Sequence, residues 1–390
     1  MSLWWARRDQ LDEHQLALIE KLPLRKNHLV FGSPGSGKTN VLLRRAQFVR
    51  SQNMPNVLVL TFTRSLVEFV KTGCFDAQGR EIFPQNCVTT LESWMRGLYK
   101  QHNVALPERT SVFSAWKKTL ATGALQFLGK PRIPRYDTLF VDEAQDLTQE
   151  EVQLIAAWSP VCFFVGDDRQ RIHEERDSID RVRQLAPRPS EHVLPFHYRL
   201  APEICQMADR IMLPQGGATL AKTEHYNGPR PARIDVTGPF PKKQLLQRAA
   251  ERLRDQIRAY ADLIQQGDFL GVVVARKADR EVVFKHFESE PGLKGKSQIV
   301  RARSSEDDEH DPSIRADAPI CILTVQGCKG LEFRALHWLF CEELSNYHDP
   351  EHYYTVVTRA KSSLDLYYIN RLPQILARAH APTSRGGLWS

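Results

Sequence analysis

The residues best suited to chemistry stand close together near the start of the chain. His28–Leu43 reads HLVFGSPGSGKTNVLL: an apolar run, then Gly32-x-x-x-x-Gly37-Lys38-Thr39, then a stretch with helical spacing. Glycines at this spacing let backbone amides curl around phosphate oxygens, and the following helix turns its positive N-terminal end toward them. Gly32, Ser33, Pro34, Gly35, Ser36 and Gly37 are the expected cradle, with Asn40 at its exit. Lys38 is expected to reach the terminal phosphates of ATP, and the Thr39 hydroxyl to ligate Mg²⁺. A second constellation, Tyr136–Asp146 (YDTLFVDEAQD), is an apolar run that ends in paired carboxylates. A carboxylate at the C-terminal end of a strand lies where ligands gather in a doubly wound sheet. Asp142 is therefore the expected partner of Thr39 on the metal, leaving Glu143 to orient or deprotonate the attacking water. Taken together, the two motifs imply hydrolysis of a nucleoside triphosphate.

Such groups need strands that end at one edge and helices that cross back. Short runs rich in Val, Ile, Leu and Phe supply the strands: His28–Gly32, Val57–Thr61, Thr138–Asp142, Val161–Gly166, Gly271–Ala275, Cys321–Val325 and His337–Cys341. Runs apolar on every position suit parallel strands buried on both faces, with amphipathic crossovers between them. The fold class that follows is α/β with strands enough for two parallel sheets. Lys242–Gln265 places Leu245, Leu246, Ala249, Leu253, Ile257, Tyr260 and Ile264 at helical spacing, and Arg280–Ser289 does the same with Val282, Val283 and Phe287. Both read as core-facing stripes.

The chain has 390 residues, enough for two or three domains at about 150 each. A hydrophobic content of 42% with 25% charged residues is that of a globular chain and excludes global disorder. The net charge of +7 permits a polyanionic partner without requiring one. Seven scattered cysteines with no C-x-x-C pair argue against a disulfide framework or a structural zinc. The N-terminal MSLWWARRDQLDEHQ meets charge too early for a signal peptide, and no apolar run is long enough to span a membrane, so a cytoplasmic location is expected. LAPRPSEH, within Gln184–His192, breaks the pattern with two prolines and suggests a boundary. Arg301–Pro319 is acidic and polar and reads as a solvated loop, not a metal site.

Six further segments follow in a specific order. Gln15 lies in LDEHQLALI; Thr61-Phe62-Thr63-Arg64 ends one strand; Gly166-Asp167-Asp168-Arg169-Gln170 ends another. Then come Tyr198-Arg199 in LPFHYRLAPEI, Thr324–Phe333 (TVQGCKGLEF) and Tyr354–Ala360 (YTVVTRA). With the two nucleotide motifs, these resemble the UvrD/Rep/PcrA group of superfamily 1 helicases from about Gln15 to Lys361. The resemblance implies two RecA-like P-loop NTPase domains, with ATP in the cleft between them. It implies that Gln15 reads adenine, Tyr198 stacks on it, and Glu332, beside Gly330, bonds the ribose. It further implies that Gln170 links the γ-phosphate to the nucleic-acid groove, while Arg199 and Arg359 bring charge to that phosphate. Phe62 is similar to the family's strand-contacting residue, with Thr61, Thr63 and Arg64 as backbone contacts. Trp94, in TTLESW, reads either as a further strand contact or as a core tryptophan.

Three departures concern the strand side. The family's S-I-Y-G-W-R after the glutamine is here Arg171-Ile172-His173-Glu174-Glu175-Arg176, so a carboxylate stands where a stacking ring is usual. Gln326 replaces a histidine, and TLESW lacks the T-F-H pattern. The family's two accessory insertions also shrink, to a short helical segment at about 97–135 and to the acidic loop 301–319. The expectation is a compact protein with domains 1–188 and 189–382 and a tail 383–390. It would be an ATPase that translocates on single-stranded DNA, with 3′→5′ helicase activity in repair, recombination or defence implied by the resemblance. RNA remains open as the strand. The alternative is an ATP-switched interaction subunit of a larger complex, with a nuclease or a repair or defence protein as partner.

Overall fold

The computed structural model describes residues 5–76, 78–108, 113–128, 136–167, 178–213, 219–301, 314–344 and 349–381. Gln170, the departures at 171–176, most of the acidic loop 301–319, parts of the segment 97–135 and the tail 383–390 lie outside them. The chain divides into two units, Met1–Phe196 and His197–Ser390.

The first unit is built on six strands: β1 (His28–Gly32), β2 (Val57–Thr61), β3 (Val88–Thr90), β4 (Thr138–Val141), β5 (Cys162–Gly166) and β6 (Ser190–Leu194). They form one parallel sheet in the order β3-β2-β4-β5-β1-β6. Its helices are α1 (Glu13–Leu16), α2 (Lys38–Ser51), α3 (Arg64–Thr72), α4 (Leu91–Gln101), α5 (Phe113–Leu125), α6 (Gln149–Trp158) and α7 (Ser178–Arg183). Successive side chains of a strand point to opposite faces, so each apolar run feeds two cores. Val30, Val59, Phe140 and Phe163 pack with Val41, Leu42 and Val70 on one face. Leu29, Leu60, Leu139 and Phe164 pack with Met95, Leu120 and Ile155 on the other. Threonines start three of the helices: Thr63, Thr90 and Thr148 each accept a backbone N–H from the residue three positions on.

The second unit has α8 (Pro202–Met212), β7 (Arg233–Thr237), α9 (Lys242–Ala259), α10 (Ala261–Gln265), β8 (Leu270–Val274), α11 (Lys277–Ser289), β9 (Ser297–Ile299), β10 (Ile320–Thr324), β11 (Phe333–Trp338), α12 (Pro350–Val357), β12 (Ala360–Tyr367) and α13 (Gln374–His380). Its sheet is again parallel, in the order β7-β12-β11-β8-β10-β9. Two RecA-like α/β units are the result.

Several expectations shift. The boundary expected after Arg188 lies beyond Leu194, because β6 pairs residue by residue with β1 and belongs to the first sheet. The helix expected over Lys242–Gln265 is interrupted at Tyr260, where φ −110° and ψ 19° leave the helical region. Val282 is 51% exposed, whereas Val283 and Phe287 are buried; these two are four residues apart on one helix face, and Val282 is turned off it. The strand expected at His337–Cys341 lies earlier, at β11.

Candidate nucleotide site

β1 delivers the chain at Gly32 to the end of the first sheet, and α2 begins at Lys38. Between them Gly35 (φ 75°) and Gly37 (φ 83°) take left-handed conformations that side chains disfavour. A Cβ at Gly37 would also lie 2.8 Å from the Gln15 amide nitrogen. Gln15 is buried against the loop: its side chain donates to the Ser36 carbonyl at 3.0 Å, and the Asp12 carboxylate accepts the Gln15 backbone N–H at 2.8 Å. The Lys38 ammonium spans the loop, donating to the Gly32 carbonyl at 2.6 Å and the Ser33 carbonyl at 3.0 Å.

β4 ends at Val141, so Asp142 emerges at the same edge of the sheet as the loop after β1. Thr39 donates its hydroxyl to the Asp142 carboxylate at 2.9 Å. The other oxygen of Asp142 accepts the Glu143 N–H at 2.8 Å. Burial, reinforced by the neighbouring Glu143 charge, pushes the Asp142 carboxyl up to about 7 against the opposing Thr39 bond and Lys38 charge. These two oxygens fit a Mg²⁺ ion, which takes one or two protein ligands and completes its shell with phosphate and water. Among the described residues no group of three or more His, Cys, Asp or Glu side chains is arranged to hold a metal.

Glu143 is held on both sides. Its backbone is left-handed (φ 52°, ψ 46°), and its carboxylate accepts a short hydrogen bond from the Gln145 amide. The Gln145 carbonyl oxygen in turn accepts the Asp167 N–H at 3.0 Å. Gly166 leaves room for this bridge, because a Cβ there would lie 2.8 Å from that oxygen. Gln145 thus ties the end of β5 to the Glu143 carboxylate. The sequence carries it in plain view, two residues after Glu143, but nothing in its type or spacing indicates the bridge.

The strand-side candidates fare differently. Phe62 is half-buried, with the Lys117 ammonium 4.7 Å from its ring centroid. Arg64 opens α3 and is also half-buried. Thr61 and Thr63 are buried; Thr61 donates to the Thr63 carbonyl at 3.3 Å, and Thr63 caps α3 by accepting the Leu66 N–H at 3.2 Å. Their hydroxyls serve the turn into α3. Trp94 is 7% exposed and meets Trp158 edge-on at 5.8 Å, so of its two readings the core one holds.

In the second unit, the Arg199 guanidinium donates to the Glu332 carboxylate at 2.8 Å. Burial would raise the Glu332 pKa, but the charges of Arg199, Lys361 and Arg359 outweigh it and hold the carboxyl below its ordinary range. Arg359 is buried, with hydrogen bonds to the Thr355 carbonyl at 3.1 Å, the Leu331 carbonyl at 3.4 Å and the Thr358 hydroxyl at 3.4 Å. Gly330, next to Leu331, has φ 77°. Tyr198 lies 5.9 Å from His225, ring to ring. Arg199, Glu332 and Arg359 therefore share one charged neighbourhood. Lys361, which the sequence did not single out, joins it from β12, bonded to Asp268 at 2.7 Å and pushed down to about 8 by burial.

Residues 15–176 match the family model described as AAA domain. That span covers the phosphate loop, the Asp142–Glu143 pair and Gln145. A stretch of 85 residues is 32% identical to F-box DNA helicase 1 of Gallus gallus; it makes up 22% of this chain and 8% of the relative's length. Among solved structures, the C-terminal domain of a possible DNA helicase from Lactobacillus plantarum WCFS1 overlaps 47% of this chain and 93% of its own, at 18% identity and TM-score 0.30. The PRRSV helicase overlaps 90% of this chain and 54% of its own, at 12% identity and TM-score 0.45. The fold assignment rests on strand order and the phosphate loop, not on these two overlaps. No helix among the described residues is long and apolar enough to cross a membrane.

Proposed function

We propose that this chain hydrolyses ATP with Mg²⁺ and uses the cycle to move along single-stranded DNA, as a compact relative of the UvrD/Rep/PcrA helicases. The observation that carries the reading is the convergence of Thr39, Asp142 and Glu143 beside the glycine loop, with Gln145 holding the glutamate. In the reaction a water oxygen attacks the γ-phosphorus, the bond to the β-γ bridging oxygen breaks, and ADP and phosphate leave. Glu143 orients the water and takes its proton. Lys38 offsets charge on the β- and γ-oxygens, and bound Mg²⁺ would add Lewis-acid stabilisation at Thr39 and Asp142. Gln15 recognises the base. On the family resemblance, Arg199 and Arg359 neutralise transition-state charge, Tyr198 stacks on adenine and Glu332 bonds the ribose. Gln170 relays the state of the γ-phosphate to the strand.

The similarity to a DNA helicase over 85 residues supports a nucleic-acid strand as partner, and Phe62 and Arg64 supply one stacking ring and one cation for it. A 3′→5′ direction and a place in repair, recombination or defence extend the same resemblance. E143Q is expected to bind ATP and fail to turn it over, while K38A loses both binding and turnover; undiminished hydrolysis in E143Q would refute the site. R359A should lower kcat by about 10³-fold or more with little effect on nucleotide affinity, read from steady-state kinetics and a fluorescent-nucleotide titration.

A second reading has its own observation. Thr61, Thr63 and Trp94 are buried, which thins the strand-facing surface. In that reading ATP switches an interaction with a nuclease or repair partner, without stepping. Stopped-flow translocation on end-labelled oligonucleotides separates the two: kinetics that lengthen with the oligonucleotide support the motor, and strand-stimulated hydrolysis with no length dependence supports the switch. DNA and RNA oligomers compared in the same ATPase assay identify the strand.

A further inference from the structure

Lysine is almost never fully buried unless it is paired. Lys117, on α5, is 6% exposed. Its ammonium lies 2.9 Å from the Glu151 carboxylate, donates to the Asp146 carbonyl at 3.2 Å and covers the Phe62 ring at 4.7 Å. Glu151 is itself buried and closes the cap of α6, accepting the Thr148 N–H at 2.8 Å. Lys117 therefore joins three pieces of the first unit: the Phe62 turn, the start of α6, and the turn Ala144–Asp146 that carries Gln145. From Gln145 one further hydrogen bond reaches the Glu143 carboxylate.

A buried ion pair generally stabilises a fold no better than an apolar pair of the same volume. Stability alone thus gives little reason for a lysine here, and its contacts suggest another. A cation over a ring is held by the ring's quadrupole, so a base stacking on Phe62 acts on the same electrons that hold the ammonium. Any shift of the ammonium is felt at the Asp146 carbonyl, on the residue that follows Gln145.

We propose that Lys117 is a positioning residue that couples occupancy of the Phe62 ring by a nucleic-acid base to the setting of the Glu143 carboxylate, through the Asp146 carbonyl and the Ala144–Asp146 turn. The proposal rests on the ATPase reading above. It assigns to α5 the task of telling the hydrolytic site that a strand is present.

The test is steady-state ATP hydrolysis by the full chain, with and without saturating oligo-dT, for wild type, K117M, K117R, F62L and K117M/F62L. Saturation is checked for each variant by anisotropy. If oligo-dT leaves wild-type turnover unchanged, the strand-dependent part of the ATPase reading fails and the coupling falls with it. With wild type stimulated, K117M should cut the ratio of stimulated to unstimulated kcat by at least about fivefold, the lower end of ordinary coupling between sites. K117R, which keeps the charge, should recover most of the ratio, and K117M/F62L should lose no more than K117M alone. A K117M protein with the wild-type ratio, or losses that multiply in the double variant, overturns the coupling and leaves the ATPase reading standing. A purely structural lysine would lower both rates together and leave the ratio unchanged. Because K117M strands the Glu151 carboxylate, K117M/E151Q carries the same measurement with a neutral pair, and a wild-type ratio there overturns the proposal equally.

Discussion

Glu143 occupies a backbone region that costs a residue with a side chain about 1–2 kcal/mol. The Gln145 hydrogen bond is one of the contacts that hold it there. Q145A is accordingly expected to reduce kcat by about ten- to a hundredfold, the range typical of a lost outer-shell partner, with ATP affinity nearly unchanged in a nucleotide titration. Away from the site, the His28 ring lies 3.1 Å from His192 and 3.0 Å from the Pro23 carbonyl. Burial, aided by the neighbouring His192 and opposed by the Pro23 bond, pushes the His28 pKa from 6.5 down to about 4. Between those values the unfolded chain binds a proton that the folded chain refuses, so this group's contribution to stability falls as pH drops through that window. Denaturant melts at pH 7 and pH 4.5 should show a smaller acid loss for H28Q than for wild type. At this scale the phosphate loop and the Asp142–Glu143 pair were legible, because their chemistry follows from residue type at short spacing. Gln145, Lys117 and Lys361 were not. Their roles depend on partners brought close only by folding, such as Asp268, which is far from Lys361 in sequence.

Strands read well where burial on both faces leaves a continuous apolar run, as in β1 and β2, whose limits coincide with the expected ones. β12 escaped notice, although it lies between β7 and β11, because its sequence AKSSLDLY is half polar. Its polar side chains are buried but paired: Asp365 with Arg252 and Gln256, and Lys361 with Asp268. β6 was missed for the opposite reason: it is an edge strand with Val193 64% exposed, and SEHVL resembles a loop. In α11 the two valines separate the buried face from the exposed one. F287A should cost about 3–5 kcal/mol of unfolding free energy, and V282A should stay within about 0.5 kcal/mol, both read from urea melts. In α6 the Thr148–Glu151 box places T148A at a loss of about 1 kcal/mol by the same measurement.

Across the whole molecule, composition and run spacing sufficed to expect two α/β units with parallel sheets. The division between them was less legible, since the prolines that mark it in the sequence precede a strand that still belongs to the first sheet. Modest basic charge suits a loosely held polyanion. If a strand is gripped through its phosphates, stimulation of hydrolysis by oligo-dT at fixed subsaturating concentration should decline steadily between 50 and 200 mM salt, roughly as counterion release requires.

Asp142 and Glu143 place two buried acids side by side, a liability to any folded chain that is not using them. Neutralising the second should therefore make the protein hardier as it makes it idle: without nucleotide, E143Q should melt at a higher temperature than wild type. Adding magnesium and a non-hydrolysable nucleotide should narrow the difference, because a cation relieves the same repulsion that the amide removes.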